Sequence, residues 1–533
     1  GRKTLGRGEF EEKVRDLSLG LLTLGVGRGE RVAILLENSP EWIITDLAIS
    51  SIGAVSVPVY TTLSPEETAF VLEDSGSTAV VFSPHHIKKL LQAKCPSLKH
   101  FIATAEVEGP AVLGTEVLTL GRVAALGRES GDPELWEARM RAVGRDDPFS
   151  IIYTSGTTGR SKGVVLSHGN ILSNIEAVGT IISVTGRDLH LSYLPLSHIF
   201  ERMVHHLMIY KGGGIAYSRG FAYAGADIRF FRPTLMVAVP FFLDRIRAKV
   251  LEGIEKAGGA KKLLFRAAMR GGASGRLLDG VALRKIRERI APGLRFFISG
   301  GAKLPKDTAE FFRALGMPVI EGYGLTETSP VVSMNTPEDV KIGSVGRPAP
   351  GVELRIKDDG EIVVRGPGVM KGYFNMPEAT SEAVRDGWFH TGDIGFVDPD
   401  GFLTITDRKK DLIITSVGKN IAPQRIEAAL RADECIKEAL VYGDGRPHLV
   451  AVIVPDKEGL DAAGIRDEER MKFYEKRIHA NLKPFARFEQ IRRFALVDDE
   501  LIREECVTPT MKLKRAMVAE KFRDIIDGLY EVS

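Results

Sequence analysis

Short apolar runs alternate with helix-start signals along the first hundred residues, and this alternation limits the fold more than any other property of the chain. Arg31 to Leu36 (RVAILL) reads as a buried strand, Ser39-Pro40-Glu41 opens a helix, and Ala54 to Val59 returns as a strand. Ser64-Pro65-Glu66-Glu67 then has the form of a capping box, and Ala79 to Phe82 (AVVF) supplies a third strand. Strands separated in this way by helices run mainly parallel, with the helices covering the sheet. Ligands of such sheets bind at the loops beyond the strand ends.

One such loop has an unusual composition. Tyr153 to Gly163 reads YTSGTTGRSKG. Gly156, Gly159 and Gly163 let backbone amides approach an anion, Thr154, Ser155, Thr157, Thr158 and Ser161 add short donors, and Arg160 and Lys162 add positive charge. The apolar runs SIIY and VVL on either side anchor the loop between strands, which argues against an ordinary surface linker. The pattern suits a polyphosphate. It is not a Walker loop, because Lys162 is followed by Gly163 and a strand where that motif has Ser or Thr and a helix.

The chain has 533 residues, long enough for several globular units, and 44% hydrophobic with 27% charged residues is ordinary for a soluble protein. With 72 basic and 70 acidic residues it carries no nucleic-acid signature. Cys95, Cys435 and Cys506 fit neither a disulfide framework nor a zinc site, which points to a reducing, cytoplasmic compartment. The window Trp42 to Tyr60 contains Asp46, serines and Pro58, so it reads as a helix and a strand, not a membrane span. No cleavable signal is visible, and the start at Gly1 inside a helical pattern reads as a truncated N-terminus.

Further along, Leu294 to Ser299 is a strand ending at Gly300-Gly301, and Val319-Ile320-Glu321 leads into the turn GYGLTE. Between Gly343 and Thr406, short runs broken by Gly, Pro and Asp predict antiparallel strands or a small barrel. The texture changes again after Asp407. A small α+β unit follows, with helices near Gln424 to Arg431, Glu468 to Leu482 and Arg515 to Tyr530, and strands near Ala439 to Tyr442 and His448 to Val454. The expected domains are therefore 1–406 and 407–533.

Five segments occur in a telling order: YTSGTTGRSKGV, EGYGLTETSP (321–330), GWFHTGD (387–393), DRKKDLIITSVGKNIAP (407–423) and PTMKLKR (509–515). Together they resemble the adenylate-forming acyl-CoA synthetases, in particular the long-chain fatty-acid–CoA ligases. The resemblance implies an α/β fold. A large N-terminal domain of stacked, mostly parallel sheets with helices and a small β-barrel-like part would precede a small mobile α+β C-terminal domain. It also implies the chemistry. A fatty carboxylate attacks the α-phosphate of ATP to give acyl-adenylate and pyrophosphate, and the thiol of coenzyme A then displaces AMP.

Roles follow from the matched positions. Thr154, Ser155, Gly156, Thr157, Thr158, Gly159 and Lys162 would hold the β- and γ-phosphates, and Glu327 would bind Mg²⁺ with help from Thr154. Gly301, Glu321, Gly322, Tyr323 and Thr326 would line the nucleotide, with Tyr323 offering a stacking face. Asp393 and Arg408 match residues that bind the ribose hydroxyls. Lys512 matches the C-terminal lysine that reaches the α-phosphate; it is preferred over Lys514 because the family lysine stands just before an aliphatic-x-Arg ending. The family's second domain rotates about the position of Asp407, bringing the loop Gly418-Lys419-Asn420 to the site for thioester formation.

The acyl group is read from SYLPLSHIFERM (192–203), which resembles the long-chain acyl-pocket segment and places His198 and Arg202 near the carboxylate or pocket mouth. Gly212 to Gly214 either leaves room for a chain or forms a tight turn. The basic amphipathic stretch 261–270 reads first as a helix with a solvated face and second as a peripheral contact with the inner membrane surface. Oligomeric state stays open, with a homodimer as one reading. Rival functions are a fatty-acyl-AMP ligase that serves a carrier protein, a ligase for aryl or medium-chain acids, and a catalytically weak binding module; the GKN loop and the retained charged residues argue for the coenzyme A ligase.

Overall fold

The structure, a computed structural model, describes residues 4–93, 95–107, 116–154, 161–259, 262–263, 265, 283–416, 419–456, 459–461, 464–498 and 515–531. The chain divides into two compact units, Gly1–Leu354 with Val364–Phe389, and Arg355–Val363 with His390–Ser533. Asp407, the expected hinge, lies inside the second unit on the strand Leu403–Arg408.

In the first unit the alternation of strand and helix is realised as expected. Strands β1 (Arg31–Leu35), β2 (Val55–Pro58), β3 (Ala79–Phe82), β4 (His100–Ala103), β5 (Val117–Thr119), β6 (Pro148–Thr154) and β7 (Lys162–Ser167) belong to one sheet. Its order is Gly372–Tyr373, β7, β6, β2, β1, β3, β4, β5. Strands β6 to β5 in that order are parallel, while β7 is antiparallel to β6 and to Gly372–Tyr373. Central strands buried on both faces read as unbroken apolar runs. In β1, Val32 and Ile34 enter one core cluster with Trp42 and Ile49, whereas Ala33 and Leu35 enter another with Val57 and Phe101.

A second sheet contains β8 (Leu189–Ser192), β9 (Gly214–Tyr217), β10 (Leu235–Ala238), β11 (Phe296–Ser299), β12 (Val319–Gly324), β13 (Val331–Met334) and β14 (Arg347–Pro348). The order is β14, β13, β12, β11, β10, β8, β9, parallel from β12 onward. The helix Ile199–Lys211 lies between the two sheets. Its Arg202 reaches Ser56 of β2 and Ser150 of β6, and its Glu201 reaches His190 of β8. Gly212 ends this helix at φ 73°, so the triple glycine serves as a turn.

The second unit has its own three-stranded sheet, Ile436–Tyr442 antiparallel to Leu449–Pro455, which is parallel to Ile491–Leu496. Alternate residues again separate two cores. Val441, Ala451 and Ile453 pack with Ile426 and Tyr474, and Leu440, Val450 and Val452 pack with Val518 and Ile526. The single helix expected over 515–530 is instead two, Arg515–Lys521 and Arg523–Glu531. Phe522 between them is buried in the second core, and hydrogen bonds from Phe522 N to Val518 O and Ile526 N to Phe522 O bridge the irregularity.

Cys95 and Cys435 are buried free thiols, and Cys506 lies outside the described residues. No helix among the described residues is long and apolar enough to cross a membrane. Most of the basic stretch 261–270 lies outside them.

Candidate functional site

The β6–β7 hairpin brings the two ends of the glycine and hydroxyl loop together, with Thr154 opposite Lys162; residues 155–160, including Ser155, Gly156, Thr157, Thr158 and Gly159, lie outside the described residues. Glycine is needed at 163. A Cβ there would come within 2.8 Å of Ile151 Cγ2 and 3.1 Å of the Tyr153 ring. The free edge of β7 takes the two-residue strand Gly372–Tyr373, with Tyr373 opposite Val164, and Phe374 N donates to Gly163 O at 2.7 Å. This places the Lys162 ammonium over the Tyr373 ring, 4.8 Å from its centroid.

The hydroxyl of Tyr373 then donates to Glu327 Oε1 at 2.9 Å. Burial raises the pKa of this phenol, and the neighbouring Glu327 carboxylate raises it further, so the proton stays and the hydroxyl remains a donor. Glu327 sits on the turn Thr326–Thr328, which is clamped by Leu325 N to Pro330 O at 3.1 Å and Met370 N to Glu327 O at 2.8 Å. A Cβ on Gly324 would overlap Pro330 O, so this turn also needs its glycine. Cation, phenol and carboxylate are thus held in line on partly buried backbone. Carboxylate and hydroxyl oxygens are the hard donors that suit Mg²⁺, and Glu327 has that chemistry.

Glu321, on β12 beside Ser299 of β11, is 6% exposed. Burial raises its pKa, opposed by backbone N–H bonds from Gly343 and Leu304 and by the charge of Lys303, and the outcome is about 7. Gly322 and Tyr323 continue the strand opposite Met334 and Ser333, Thr326 is buried, and Gly301 takes φ 83° just beyond β11.

Within the second unit, Asp393 and Arg408 face one another on antiparallel strands, and Arg408 Nε donates to Asp393 Oδ1 at 2.8 Å. Asp407 is 3% exposed, and its Oδ1 accepts from Arg408 N at 2.7 Å; burial, the largest influence, brings its pKa up to about 6. Lys419 is exposed on the turn closed by Lys419 N to Thr415 Oγ1 at 3.1 Å, with its ammonium 5.6 Å from the Phe488 ring centroid. Gly418 and Lys512 lie outside the described residues.

The acyl-segment expectations divide. His198 caps the helix Ile199–Lys211, its Nδ1 accepting from Phe200 N at 3.2 Å. Arg202 is not at a pocket mouth. It is wholly buried, donating through Nε and Nη2 to Asp46 at 2.9 and 2.5 Å, through Nη1 to Ser150 and through Nη2 to Ser56, both at 2.7 Å. Tyr373 was missed by sequence reasoning, because a two-residue strand has no periodicity to read. Its one signal was an aromatic directly after Gly372 in the run GVMKGYF.

Residues 1–374 match the family described as AMP-binding enzyme, and residues 410–533 match the AMP-binding enzyme C-terminal domain. A protein of Mycobacterium bovis named long-chain-fatty-acid–CoA ligase FadD15 is 35% identical over 98% of this chain and 91% of its own. The Arabidopsis thaliana protein named long-chain-fatty-acid–[acyl-carrier-protein] ligase AEE15, chloroplastic, is 29% identical over 98% of this chain and 82% of its own. Among solved structures, the Bacillus subtilis O-succinylbenzoate coenzyme A synthetase in complex with ATP and magnesium ion is similar at a TM-score of 0.72, with 25% identity over 97% of this chain and 94% of that one.

Proposed function

We propose, from the premise that the chain belongs to the AMP-binding, adenylate-forming enzyme family, that it activates a long-chain fatty acid as acyl-AMP and transfers the acyl group to coenzyme A. The observation that carries this reading is the likeness to the mycobacterial ligase along nearly the whole of both chains. The Lys162, Tyr373 and Glu327 arrangement supports it, because it offers a cation and an oxygen ligand for a magnesium polyphosphate at one strand end.

On this reading Lys162 and the loop from Thr154 grip the β- and γ-phosphates of ATP. Glu327 and Thr154 hold Mg²⁺, which supplies neutralisation of phosphate charge. Gly301, Glu321, Gly322, Tyr323 and Thr326 receive the nucleotide, and Asp393 with Arg408 binds the ribose. Lys512 offsets the charge that develops as the carboxylate attacks the α-phosphate. The small domain then turns at Asp407 so that Gly418 and Lys419 serve the coenzyme A step. His198 lies near the reacting carboxylate.

Attack on phosphorus forms the acyl–phosphate bond and releases pyrophosphate. Attack of the thiol sulfur on the acyl carbon then forms the thioester and releases AMP. A carboxylate oxygen is a poor leaving group and AMP a good one, which is why both steps are needed.

The test is a panel of fatty acids of graded length with ATP, Mg²⁺ and coenzyme A, following AMP release. A maximum at long chains with stoichiometric acyl-CoA is expected, and a maximum at aryl or short acids overturns the chain-length reading. A second reading, transfer to a carrier protein, is favoured by the Arabidopsis relative's name; AMP release that needs carrier protein and ignores coenzyme A would select it. For the first step, Lys512→Ala is expected to lower pyrophosphate exchange by about two orders of magnitude or more, the cost of losing one preorganised charge contact. Exchange equal to wild type removes Lys512 from the mechanism.

A further inference from the structure

A different donor set lies at the ends of β1 and β3. These are neighbouring parallel strands, so the segments leaving their C-terminal ends emerge side by side. The segment after β1 carries Glu37, and the segment after β3 is the single turn Pro84–His86. Both histidines of that turn reach the same carboxylate oxygen. His85 Nε2 is 2.9 Å and His86 Nε2 2.7 Å from Glu37 Oε1, and the imidazole centroids are 4.1 Å apart. Ser83 Oγ donates to the other oxygen, Oε2, at 2.5 Å.

We propose that Glu37, His85 and His86 form a surface site for a divalent cation of the zinc class. Imidazole nitrogen is a borderline donor that suits Zn²⁺, Ni²⁺ or Cu²⁺ better than Mg²⁺, and two imidazoles with one carboxylate are a familiar set for an ion that keeps an open position for water. The three ligand atoms already lie within 4.8 Å of one another. A tetrahedral ion at about 2.0–2.1 Å from each would space them by roughly 3.3 Å. The carboxylate oxygen, now 2.9 and 2.7 Å from the two imidazole nitrogens, must therefore draw back from them slightly. The side chains of Glu37 and His85 are 47% and 62% exposed and free to do so, while His86, 9% exposed, is the fixed wall. Ser83 orients the carboxylate from behind. Lys89 places a positive charge near Glu37 and moderates the affinity, although its ammonium is turned to Thr61 O at 2.6 Å. Among the described residues, a second histidine and glutamate group, His190, Glu201 and His205, is sealed in the core and offers no path for an ion.

Such an ion ties the segment after β1 to the segment after β3. Next to Glu37, Asn38 donates to Ser192 Oγ and Leu194 O and accepts from Leu196 N, so the clip adjoins the support of the 192–198 segment. Glu37, His85 and His86 are not among the residues assigned to the nucleotide or the acyl acid.

The test is calorimetric titration of the full chain with zinc chloride in a non-coordinating buffer containing excess Mg²⁺ and no nucleotide. His85→Ala and Glu37→Gln, both at exposed side chains, are expected to bind one zinc fewer per chain, or to bind it at least tenfold more weakly, with a native circular dichroism spectrum in the absence of zinc. Zinc is expected to raise the melting temperature of the wild type and not of the variants. Equal zinc stoichiometry and affinity in wild type and in the Glu37→Gln/His85→Ala double variant overturns the proposal, as does displacement of the zinc by the excess Mg²⁺.

Discussion

Arg202 and Lys162 are both cations of the first unit that lie over aromatic rings near a carboxylate, yet their surroundings leave them very different freedom. The Arg202 guanidinium sits 4.4 Å from the Phe149 ring centroid and 5.5 Å from that of Trp42, and Asp46, Ser56 and Ser150 accept its hydrogen bonds. Asp46 in turn holds His206 Nε2 at 3.0 Å. Burial works to raise the Asp46 pKa, and the Arg202 charge with the His206 bond outweighs it and brings the value down to about 2. Lys162 instead rests on one ring at a strand end, partly exposed, beside a loop rich in donors. A charge whose partners all come from the fold belongs to the core; a charge on the rim of a hairpin can exchange its neighbours for a ligand.

The strongest way to break this comparison is at Arg202. Arg202→Met leaves the Asp46 carboxylate buried without its cation and is expected to cost about 3–5 kcal/mol in denaturant unfolding. Adding Asp46→Leu should recover part of that loss, since no uncompensated charge then remains. If Arg202→Met unfolds like wild type and loses only activity, Arg202 belongs with the acyl site after all.

The opposite behaviour is expected at Glu327. Glu327→Gln should lower kcat by about 10²–10³, the cost of losing a charged ligand of the ion that would neutralise the phosphates, while unfolding changes by no more than about 0.5 kcal/mol. A parallel loss of stability would mean that the carboxylate is there for the turn. Tyr373→Phe is a finer probe, since it keeps the ring beneath Lys162 and removes only the hydroxyl donor. A fall of about tenfold in kcat/KM is expected from one hydrogen bond to a charged group, with a rise in the Mg²⁺ concentration needed for half-maximal rate. An unchanged Mg²⁺ dependence would separate Tyr373 from the metal ligand.

These two regions also differ in how far the sequence discloses them. The first strands and the Ser64 capping box were legible because their signals are local: Glu67 N to Ser64 Oγ at 3.1 Å and Ser64 N to Glu67 Oε2 at 2.9 Å join residues three apart. Asp393 and Arg408 stood out in the sequence only as members of two motifs expected at the ribose, and it is the register of their strands that sets them face to face. The partners of Arg202 were not legible, because nothing beside it in the chain names Asp46, Ser56 or Ser150, which the sheet order brings to it from far away. Tyr373 stayed hidden for a related reason. A strand of two residues has no pattern, and its place is fixed by the open edge of β7.

Glu321 lies between the two extremes, buried like Arg202 yet in the segment expected to receive the nucleotide, and its titration tells which it resembles more. Its pKa of about 7 stands above the ordinary 4.5 because burial disfavours the charged form. A carboxyl raised in the folded state binds more protons folded than unfolded, so its contribution to stability falls as pH rises from the unfolded value through about 7. Between pH 6 and pH 8 that loss is about 1 kcal/mol. Glu321→Gln cannot titrate and should flatten this part of the stability profile, measured as the denaturation midpoint at each pH. If nucleotide also meets the carboxyl, the pH dependence of ATP binding should shift with the same substitution. A flattened stability profile with ATP binding unchanged at every pH would assign Glu321 to the core alone.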